Sequence, residues 1–336
     1  MTTPAVTALI WLYPHAEITV FARSGPASVF AGYPRVREII AGDVGGNMNS
    51  LLRPFSIARL IKAMAFDMAV IFPNSFESAL IPFLARIPRR IGYATDARAF
   101  LLTDSIPVPS DKMTRHEVYY YLGLADYIRK KEGLKDRAAP MPPELVLNVP
   151  EKGEKGARRI ISSLGVEKAK LIGFNPGAAY GPAKCWPHGH FAALGRALTE
   201  RHPERRILIF GTGKERSMAG DIQAGIGDAA YNLAGGTSLD EAMGIIRRLD
   251  LLVTNDSGLM HVGAALGVPL VAIFGSTNPV TTGPWSRKAS VIQNKVDCGP
   301  CLKRTCPGGF ECMQGIGVEE VLNACEKWLR SCAPAA

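Results

Sequence analysis

The 336-residue chain is 47% hydrophobic and 21% charged and carries a formal net charge of +9, which indicates a globular protein with room for two domains. We expect neither a transmembrane helix nor a signal peptide, because no run of about 18 apolar residues occurs and the amino end lacks a basic stretch. Four of the seven cysteines lie between residues 298 and 312, unlike the even spread in a small secreted disulfide scaffold, so a cytoplasmic protein is predicted.

The first half of the chain, residues 1–155, shows an incomplete α/β pattern and is predicted to be one domain. It opens with a helix-like stretch over 2–14, where a nucleotide-binding α/β domain would have a strand and a glycine-bearing loop. We therefore expect the first strand of this domain to be missing. A proline- and charge-rich stretch over 135–159 is predicted to be the linker. The remaining predicted elements are strands over 16–23 and 66–75 and helices over 48–63 and 114–131.

Residues 156–316 show a clearer alternation and are predicted to form a second domain, followed by a helix and tail over 317–336. Predicted strands alternate with helices in the order 170–177, 189–201, 205–213, 214–224, 229–235, 238–248, 251–258, 259–266 and 270–277, beginning and ending with a strand. Because runs this apolar are buried on both faces, the alternation predicts βαβ units in a parallel sheet. Ligands of such sheets bind at the carboxyl ends of the strands.

The strand over 251–258 leads into Asp256, Ser257 and Gly258, where a helix is predicted to begin. A helix amino end has free N–H groups and partial positive charge, so it binds phosphate readily. Gly258 would let a phosphate approach the backbone closely, and His261 lies one turn further on. The alternative is that Asp256 or Ser257 caps the helix and that His261 is a core histidine.

Two other strand ends carry residues suited to the same ligand. Asn175 and Gly177 form a turn that leaves backbone amides accessible, and Lys184 in the same loop supplies a cation for phosphate. Glu215, after the 205–213 strand, could accept hydrogen bonds from ribose hydroxyls or could be a favourable first-turn charge. The chain has neither a GxGxxG fingerprint nor a P-loop, so these residues predict a nucleotide-diphosphate pocket rather than an NAD or kinase site.

Three stretches carry a resemblance to a known family: "NPGAAYGPAKCWP", "NDSGLMHVGAALGVPLVAIFGSTNP" and "PNSFESALIPFLARIPRRIGY". They resemble the ADP-heptose:lipopolysaccharide heptosyltransferases, type II branch, of glycosyltransferase family nine. The resemblance implies a GT-B fold, with two Rossmann-like domains whose parallel sheets face a central cleft. It also implies inverting transfer of L-glycero-D-manno-heptose from ADP-heptose to the inner-core heptose on Kdo-lipid A, with no metal or other cofactor required for catalysis.

The resemblance also implies roles for individual donor-site residues. Lys184 and the turn from Asp256 to Gly258 would hold the diphosphate, supported by His261, and Glu215 would bind the adenosine ribose. Lys184 would act in catalysis, because donors aimed at the leaving ADP stabilise its developing charge. The family's general base is an aspartate in a loop expected just ahead of Met1, so we expect this chain to lack it.

On the acceptor side, the resemblance places five residues of the first half near the cleft: Asn74, Ser75, Arg86, Arg89 and Arg90. Arginines suit the phosphates and carboxylates of a heptosyl-Kdo-lipid A acceptor, although each could equally be a surface arginine. Because the acceptor is a lipid and the chain is basic, we expect peripheral contact with the cytoplasmic face of the inner membrane.

Cys298, Cys301, Cys306 and Cys312 are spaced C-x2-C-x4-C-x5-C. Four thiols in so short a stretch could hold a structural zinc ion or an iron–sulfur cluster, or they could be reduced thiols or disulfides.

Three other functions stay open at this point. A sugar-nucleotide epimerase shares the architecture but lacks the PGA-x-x-G-P-A-K-x-W-P block. A non-catalytic nucleotide-sugar binder would explain the absent aspartate. A nucleic-acid module is disfavoured, because the basic residues are scattered and form no long tract.

Overall fold

The computed structural model describes residues 1–42, 53–134, 136–137 and 141–331. Its internal contacts divide the chain into two compact units, Met1–Glu144 and Leu145–Ala336, which we call unit 1 and unit 2. No helix among the described residues is long and apolar enough to cross a bilayer.

Within its described residues, unit 1 contains two parallel sheets that are not joined to each other. Its strands are β1 (Ile18–Ala22), β2 (Val36–Ala41), β3 (Met68–Ile71), β4 (Arg89–Tyr93) and β5 (Asp104–Ile106). Its helices are α1 (Thr3–Leu12), α2 (Ser24–Ala27), α3 (Arg53–Lys62), α4 (Phe76–Leu84) and α5 (Glu117–Lys131). Strand β1 pairs with β2, and β4 lies between β3 and β5.

The strands predicted over 16–23 and 66–75 are confirmed as β1 and β3, and the opening helix is confirmed as α1. The helix predicted over 48–63 corresponds to α3, and its residues 48–52 lie outside the described residues. The sequence pattern did not predict α2, β2, α4, β4 or β5. Helix α1 and helix α5 pack against β4, where the rings of Tyr93 and Tyr120 stack with centroids 4.2 Å apart.

Unit 2 has one six-stranded parallel sheet in the order β11-β10-β9-β6-β7-β8. The strands are β6 (Lys170–Asn175), β7 (Arg205–Ile209), β8 (Ala230–Asn232), β9 (Leu251–Asn255), β10 (Leu270–Phe274) and β11 (Ala289–Gln293). The helices are α6 (Glu151–Ser163), α7 (His188–Arg201), α8 (Arg216–Ile226), α9 (Leu239–Ile246), α10 (Gly258–Ala265), α11 (Pro279–Thr282), α12 (Glu311–Gln314) and α13 (Val318–Ser331).

The alternation predicted for this half is confirmed, because β6 to β10 and the helices between them lie where the periodicity places them. Strands β9 and β10 are buried along their whole length, and apolar clusters cover both faces of the sheet. The first strand, β6, is central, so the carboxyl ends of β6, β9 and β10 lie side by side. The closing helix predicted from residue 317 is confirmed as α13.

The linker predicted over 135–159 is wrong in its last part, because α6 begins at Glu151. Gly153 and Gly156 let α6 pack closely on α9: a Cβ at Gly153 would lie 2.4 Å from the Asp240 carbonyl oxygen. Charged residues and glycines gave this amphipathic helix the composition of a loop. The units divide after Glu144, earlier than the predicted boundary at residue 155.

Candidate active site

A buried ion pair lies where three strands of unit 2 end. Lys184, in the loop after β6, places its Nζ 2.5 Å from Oδ2 of Asp256, which follows β9. Thr277, after β10, donates its hydroxyl to the same carboxylate oxygen at 2.7 Å. The side chains of Lys184 and Asp256 are only 13% and 5% exposed. The structure thus brings two predicted donor-site residues into direct contact and fixes both.

Asn175 joins the ends of β6 and β9. Its Nδ2 donates to the hydroxyls of Thr254 at 2.9 Å and Ser257 at 2.7 Å. The neighbouring Asn255 also bridges the two loops, because its Nδ2 donates to the Pro176 carbonyl at 2.6 Å. The sequence analysis assigned no role to Asn255, although its position at the end of a buried strand was a usable signal.

Helix α10 begins at Gly258, with Ser257 as its N-cap residue. No side-chain capping bond is formed there within the described part of the chain, so the alternative that Asp256 or Ser257 only caps the helix is not supported. Apart from its two chain neighbours and the backbone of its own helix, no described residue lies within 4 Å of where a Cβ at Gly258 would stand. The first-turn amides of α10 are therefore approachable beside the Lys184–Asp256 pair. His261 lies on α10 itself and is partly buried.

Glu215 lies against the loop that follows β6. Its Oε2 accepts hydrogen bonds from the backbone N–H and the hydroxyl of Thr212, at 2.6 and 2.8 Å. A Cβ at Gly177 would lie 1.7 Å from Glu215 Oε1, so a larger residue there would displace this carboxylate. These bonds fit the alternative in which Glu215 is a favourable charge in the first turn of a helix. Its contact with ribose stays a prediction.

In unit 1, Asn74 and Ser75 occupy the loop between β3 and α4. Asn74 Oδ1 accepts a hydrogen bond from the Tyr120 hydroxyl at 2.8 Å, and its carbonyl accepts one from Thr95 at 2.8 Å. Arg98, which is fully buried, donates through Nη1 to the Ser75 carbonyl at 3.1 Å. The loop predicted to meet the acceptor is therefore held from three sides.

Arg98 was missed by the sequence analysis. Besides the Ser75 carbonyl, its guanidinium donates to the carbonyls of Pro73 and Tyr93 and to the hydroxyl of Ser78. Burial lowers the pKa of Arg98. All four acceptors are neutral oxygens, so the charge of Arg98 serves to hold the loop in shape.

Arg89 and Arg90 lie at the amino end of β4, whereas Asn74 and Ser75 follow the carboxyl end of the parallel neighbour β3. The structure therefore separates the two predicted pairs by the length of a strand. Arg89 forms ion pairs with Glu132 and Asp104, and Arg90 donates to two backbone carbonyls. Their guanidinium groups bond within unit 1, and their contact with the acceptor stays a prediction.

The ion pairs of Arg89 belong to a larger charge cluster around Asp104. Burial opposes the ionisation of Asp104, but hydrogen bonds from Lys131 and Tyr127 lower its pKa below the usual value. Burial likewise opposes ionisation of Glu132, and hydrogen bonds from Arg89 and Tyr13 lower its pKa. These carboxylates stabilise unit 1 and lie away from the Asn74 loop.

The cysteine segment of unit 2 does not form a recognisable metal centre. Cys298, Cys301, Cys306 and Cys312 are free thiols. In the described ranges of the chain, no three His, Cys, Asp or Glu side chains are grouped as metal ligands. The predicted structural zinc or iron–sulfur site is therefore unsupported.

The same segment instead supports the Lys184 loop. The Arg304 carbonyl accepts a bond from the Ala183 N–H at 3.2 Å, and Arg304 Nε donates to the Tyr180 carbonyl at 2.8 Å. The Leu302 N–H donates to the Ser276 carbonyl at 2.8 Å. These bonds tie the cysteine segment to the loops that follow β6 and β10.

Comparisons with known proteins show which family the chain is similar to. The family model for glycosyltransferase family 9 (heptosyltransferase) matches residues 55–310. Lipopolysaccharide heptosyltransferase 2 of Escherichia coli K12 is 37% identical over 288 residues, which cover 84% of this chain and 80% of that protein. Lipooligosaccharide heptosyltransferase 2 of Haemophilus ducreyi is 35% identical over 289 residues, covering 84% and 81%.

A solved structure titled E. coli ADP-heptose lps heptosyltransferase II shares 32% sequence identity, with a TM-score of 0.79, covering 98% of this chain and 95% of that chain. Two parallel α/β units and this likeness confirm the predicted GT-B fold class. All three relatives are heptosyltransferases, which favours a transferase over the epimerase alternative. The chain therefore belongs to glycosyltransferase family 9, the heptosyltransferases.

Proposed function

We propose that this enzyme transfers L-glycero-D-manno-heptose from ADP-heptose to the inner-core heptose of lipopolysaccharide, with inversion at the anomeric carbon. The names of its E. coli and Haemophilus relatives support the reaction. The observation that carries the proposal is the Lys184–Asp256 pair beside the uncapped amino end of α10. It places a fixed cation and a row of amide donors on the same side of the sheet.

These groups suit the departure of ADP. As the glycosidic bond breaks, negative charge develops on the diphosphate, and preorganised donors stabilise it without reorganising. Lys184 supplies an ammonium group that is paired with Asp256, and the first turn of α10 supplies N–H groups and partial positive charge. Asp256, held by Thr277, keeps Lys184 in place. The proposal needs no metal ion, because these groups supply the positive charge.

Further donor contacts follow from the same geometry. Asn175 fixes the end of β6 against Ser257, and Gly177 leaves room for the Glu215 carboxylate, which would meet the ribose. His261 would support the diphosphate from α10.

On the acceptor side, the loop with Asn74 and Ser75 would meet the heptosyl-Kdo-lipid A acceptor. The acceptor hydroxyl must lose its proton to a general base as it attacks the anomeric carbon. A lipid acceptor and a net charge of +9 favour a cytoplasmic enzyme in peripheral contact with the inner membrane.

The test is transfer of radiolabelled heptose from ADP-heptose to purified heptosyl-Kdo-lipid A. We expect labelled lipid with the native chain and a loss of at least about 100-fold with Lys184→Met, the size of effect seen when one transition-state donor is removed. Lys168→Met, at an exposed site before β6, is the matched control. If ADP-heptose binds but no acceptor is labelled, the chain is a binder and the proposed transfer is wrong.

A further inference from the structure

The Lys184–Asp256 pair brings no net charge to the proposed diphosphate site. Lys184 Nζ lies 2.5 Å from Asp256 Oδ2, and both side chains are largely buried, so the ammonium charge is balanced by the carboxylate. ADP brings two phosphate groups to the same place. A second cation there would strengthen binding, because opposite charges attract more strongly at a protein surface than in bulk water. Arg304, in the cysteine segment over residues 298–312, is placed to supply it.

Arg304 is fixed to the loop that carries Lys184. Its carbonyl accepts a hydrogen bond from the Ala183 N–H at 3.2 Å, and its Nε donates to the Tyr180 carbonyl at 2.8 Å. The two backbones approach closely because Gly181 has no side chain: a Cβ there would lie 2.4 Å from the Arg304 carbonyl oxygen. The position of Arg304 is therefore set by the Lys184 loop itself.

The ring of Tyr180 brings the two cations toward one place. Lys184 Nζ lies 4.7 Å from the ring centroid, and Arg304 Cζ lies 5.8 Å from it, both within the range of a cation–π contact. The Tyr180 hydroxyl donates to the Leu302 carbonyl at 2.5 Å, which fixes the ring against the cysteine segment. The guanidinium and the ammonium thus flank the same aromatic side chain.

The guanidinium of Arg304 has donors left for a ligand. Its described side-chain hydrogen bond uses Nε, and none of the carboxylates that the structure describes forms an ion pair with it. Arg304 is also exposed, so Nη1 and Nη2 can donate to a ligand from solvent. A guanidinium presents a planar fork of N–H groups that matches the oxygens of a phosphate. Lys184 differs, because its ammonium is buried and already paired.

We propose that Arg304 binds the diphosphate of the sugar-nucleotide donor, as a second cation beside Lys184. The inference rests on the proposed function, because it takes the diphosphate to lie between Lys184 and the amino end of α10. It gives the cysteine segment a part in donor binding: the segment carries the cation, and its hydrogen bonds to the loops after β6 and β10 determine where the cation lies. The same charge would oppose the negative charge that develops as ADP departs.

Isothermal titration calorimetry with ADP and the full chain tests the proposal. Arg304→Gln removes the charge but keeps an amide nitrogen at the side-chain position of Nε, so it can still donate to the Tyr180 carbonyl. We expect ADP affinity to fall about tenfold or more, the lower end for a hydrogen bond to a charged group. Lys303→Gln, at the exposed neighbouring residue, is the matched control and should bind ADP within about twofold of the native chain, because solvent and salt screen exposed charges.

Two further measurements separate a charge contact from support of the loop. Adenosine has no phosphate, so its affinity should be the same for Arg304→Gln and the native chain. Arg304→Lys restores the charge without the fork and should bind ADP at least about threefold more tightly than Arg304→Gln. If Arg304 only supported the loop, Arg304→Gln would bind ADP like the native chain, and that result would overturn the proposal. Equal losses for Lys303→Gln, or equal losses of adenosine and ADP affinity, would also overturn it.

The titrations distinguish this inference from the proposed function. A native chain that binds ADP while Arg304→Gln binds it equally well overturns the role of Arg304 and leaves the donor site in unit 2 standing. A native chain that does not bind ADP overturns both.

Discussion

Lys184→Met removes the cation of the proposed diphosphate site and keeps the length of the side chain. A hydrogen bond to a charged group is worth about 1.5–3 kcal/mol, so ADP affinity should fall roughly 10- to 150-fold. The loss should lie toward the upper end of this range. The Asp256 carboxylate, 5% exposed, would keep its charge beside the phosphates after its partner is removed.

The same substitution should also lower stability. Removing one partner of a buried ion pair typically costs 3–5 kcal/mol because the other charge is left uncompensated. We expect a value near the lower end, about 3 kcal/mol, since the Thr277 hydroxyl still donates to Asp256. Adding Asp256→Asn removes the carboxylate charge that Lys184→Met leaves unpaired. The double variant should therefore be more stable than Lys184→Met and should bind ADP more tightly than it, though less tightly than the native chain.

Isothermal titration calorimetry with ADP measures the change in affinity, and urea unfolding measures the change in stability. Lys168→Met is the control for both. The reasoning fails if Lys184→Met binds ADP as tightly as the native chain, or if adding Asp256→Asn weakens binding further.

Three other predictions concern groups outside this pair. The lowered pKa values of Asp104 and Glu132 mean that their ion pairs contribute stability above the unfolded-state values of about 4, and that this stability is lost as the pH falls through the folded-state values. Urea unfolding should therefore show that the free energy of unfolding falls less between about pH 7 and 3 for Asp104→Asn than for the native chain. Equal decreases would contradict the role given to the Asp104 ion pairs. Arg98→Met should lower the free energy of unfolding by about 3 kcal/mol, because it leaves buried acceptors without a hydrogen-bond donor. It should also raise KM for the acceptor while ADP affinity is unchanged. A change in ADP affinity alone would refute its role in the Asn74 loop. Gly258→Ala meets open space in the fold, so it should preserve the Tm but weaken ADP binding, and undiminished binding would show that no phosphate approaches there.

The second half of the fold could be predicted from the sequence because its strands are apolar on both faces. Strands β9 and β10 lie entirely in the core, so their composition alone separates them from helices and loops. Strand β4 was missed because it begins with two arginines, and β5 because it has only three residues. Helix α6 was missed because its contact with α9 depends on glycines, which signal loops when they are seen without their neighbours.

The neighbouring positions of Asn175, Asp256 and Ser257 could be predicted because each lies at or directly after the end of a strand. Parallel strands bring their carboxyl ends together whatever the details of packing. Arg98 could not be found in this way, because three of its four acceptors are backbone carbonyls, which any residue type provides. For Arg89 and Arg90, the motif and the side-chain chemistry did not reveal that both residues lie at the amino end of β4, opposite to the strand end that Asn74 and Ser75 follow.

The central claim is that unit 2 holds a nucleotide diphosphate between Lys184 and the amino end of α10. A crystal structure with bound ADP tests it most directly. The account predicts phosphate oxygens within hydrogen-bond distance of Lys184 Nζ and of the backbone amides that begin at Gly258. A diphosphate bound elsewhere in the protein, with the Lys184–Asp256 pair untouched, would contradict it.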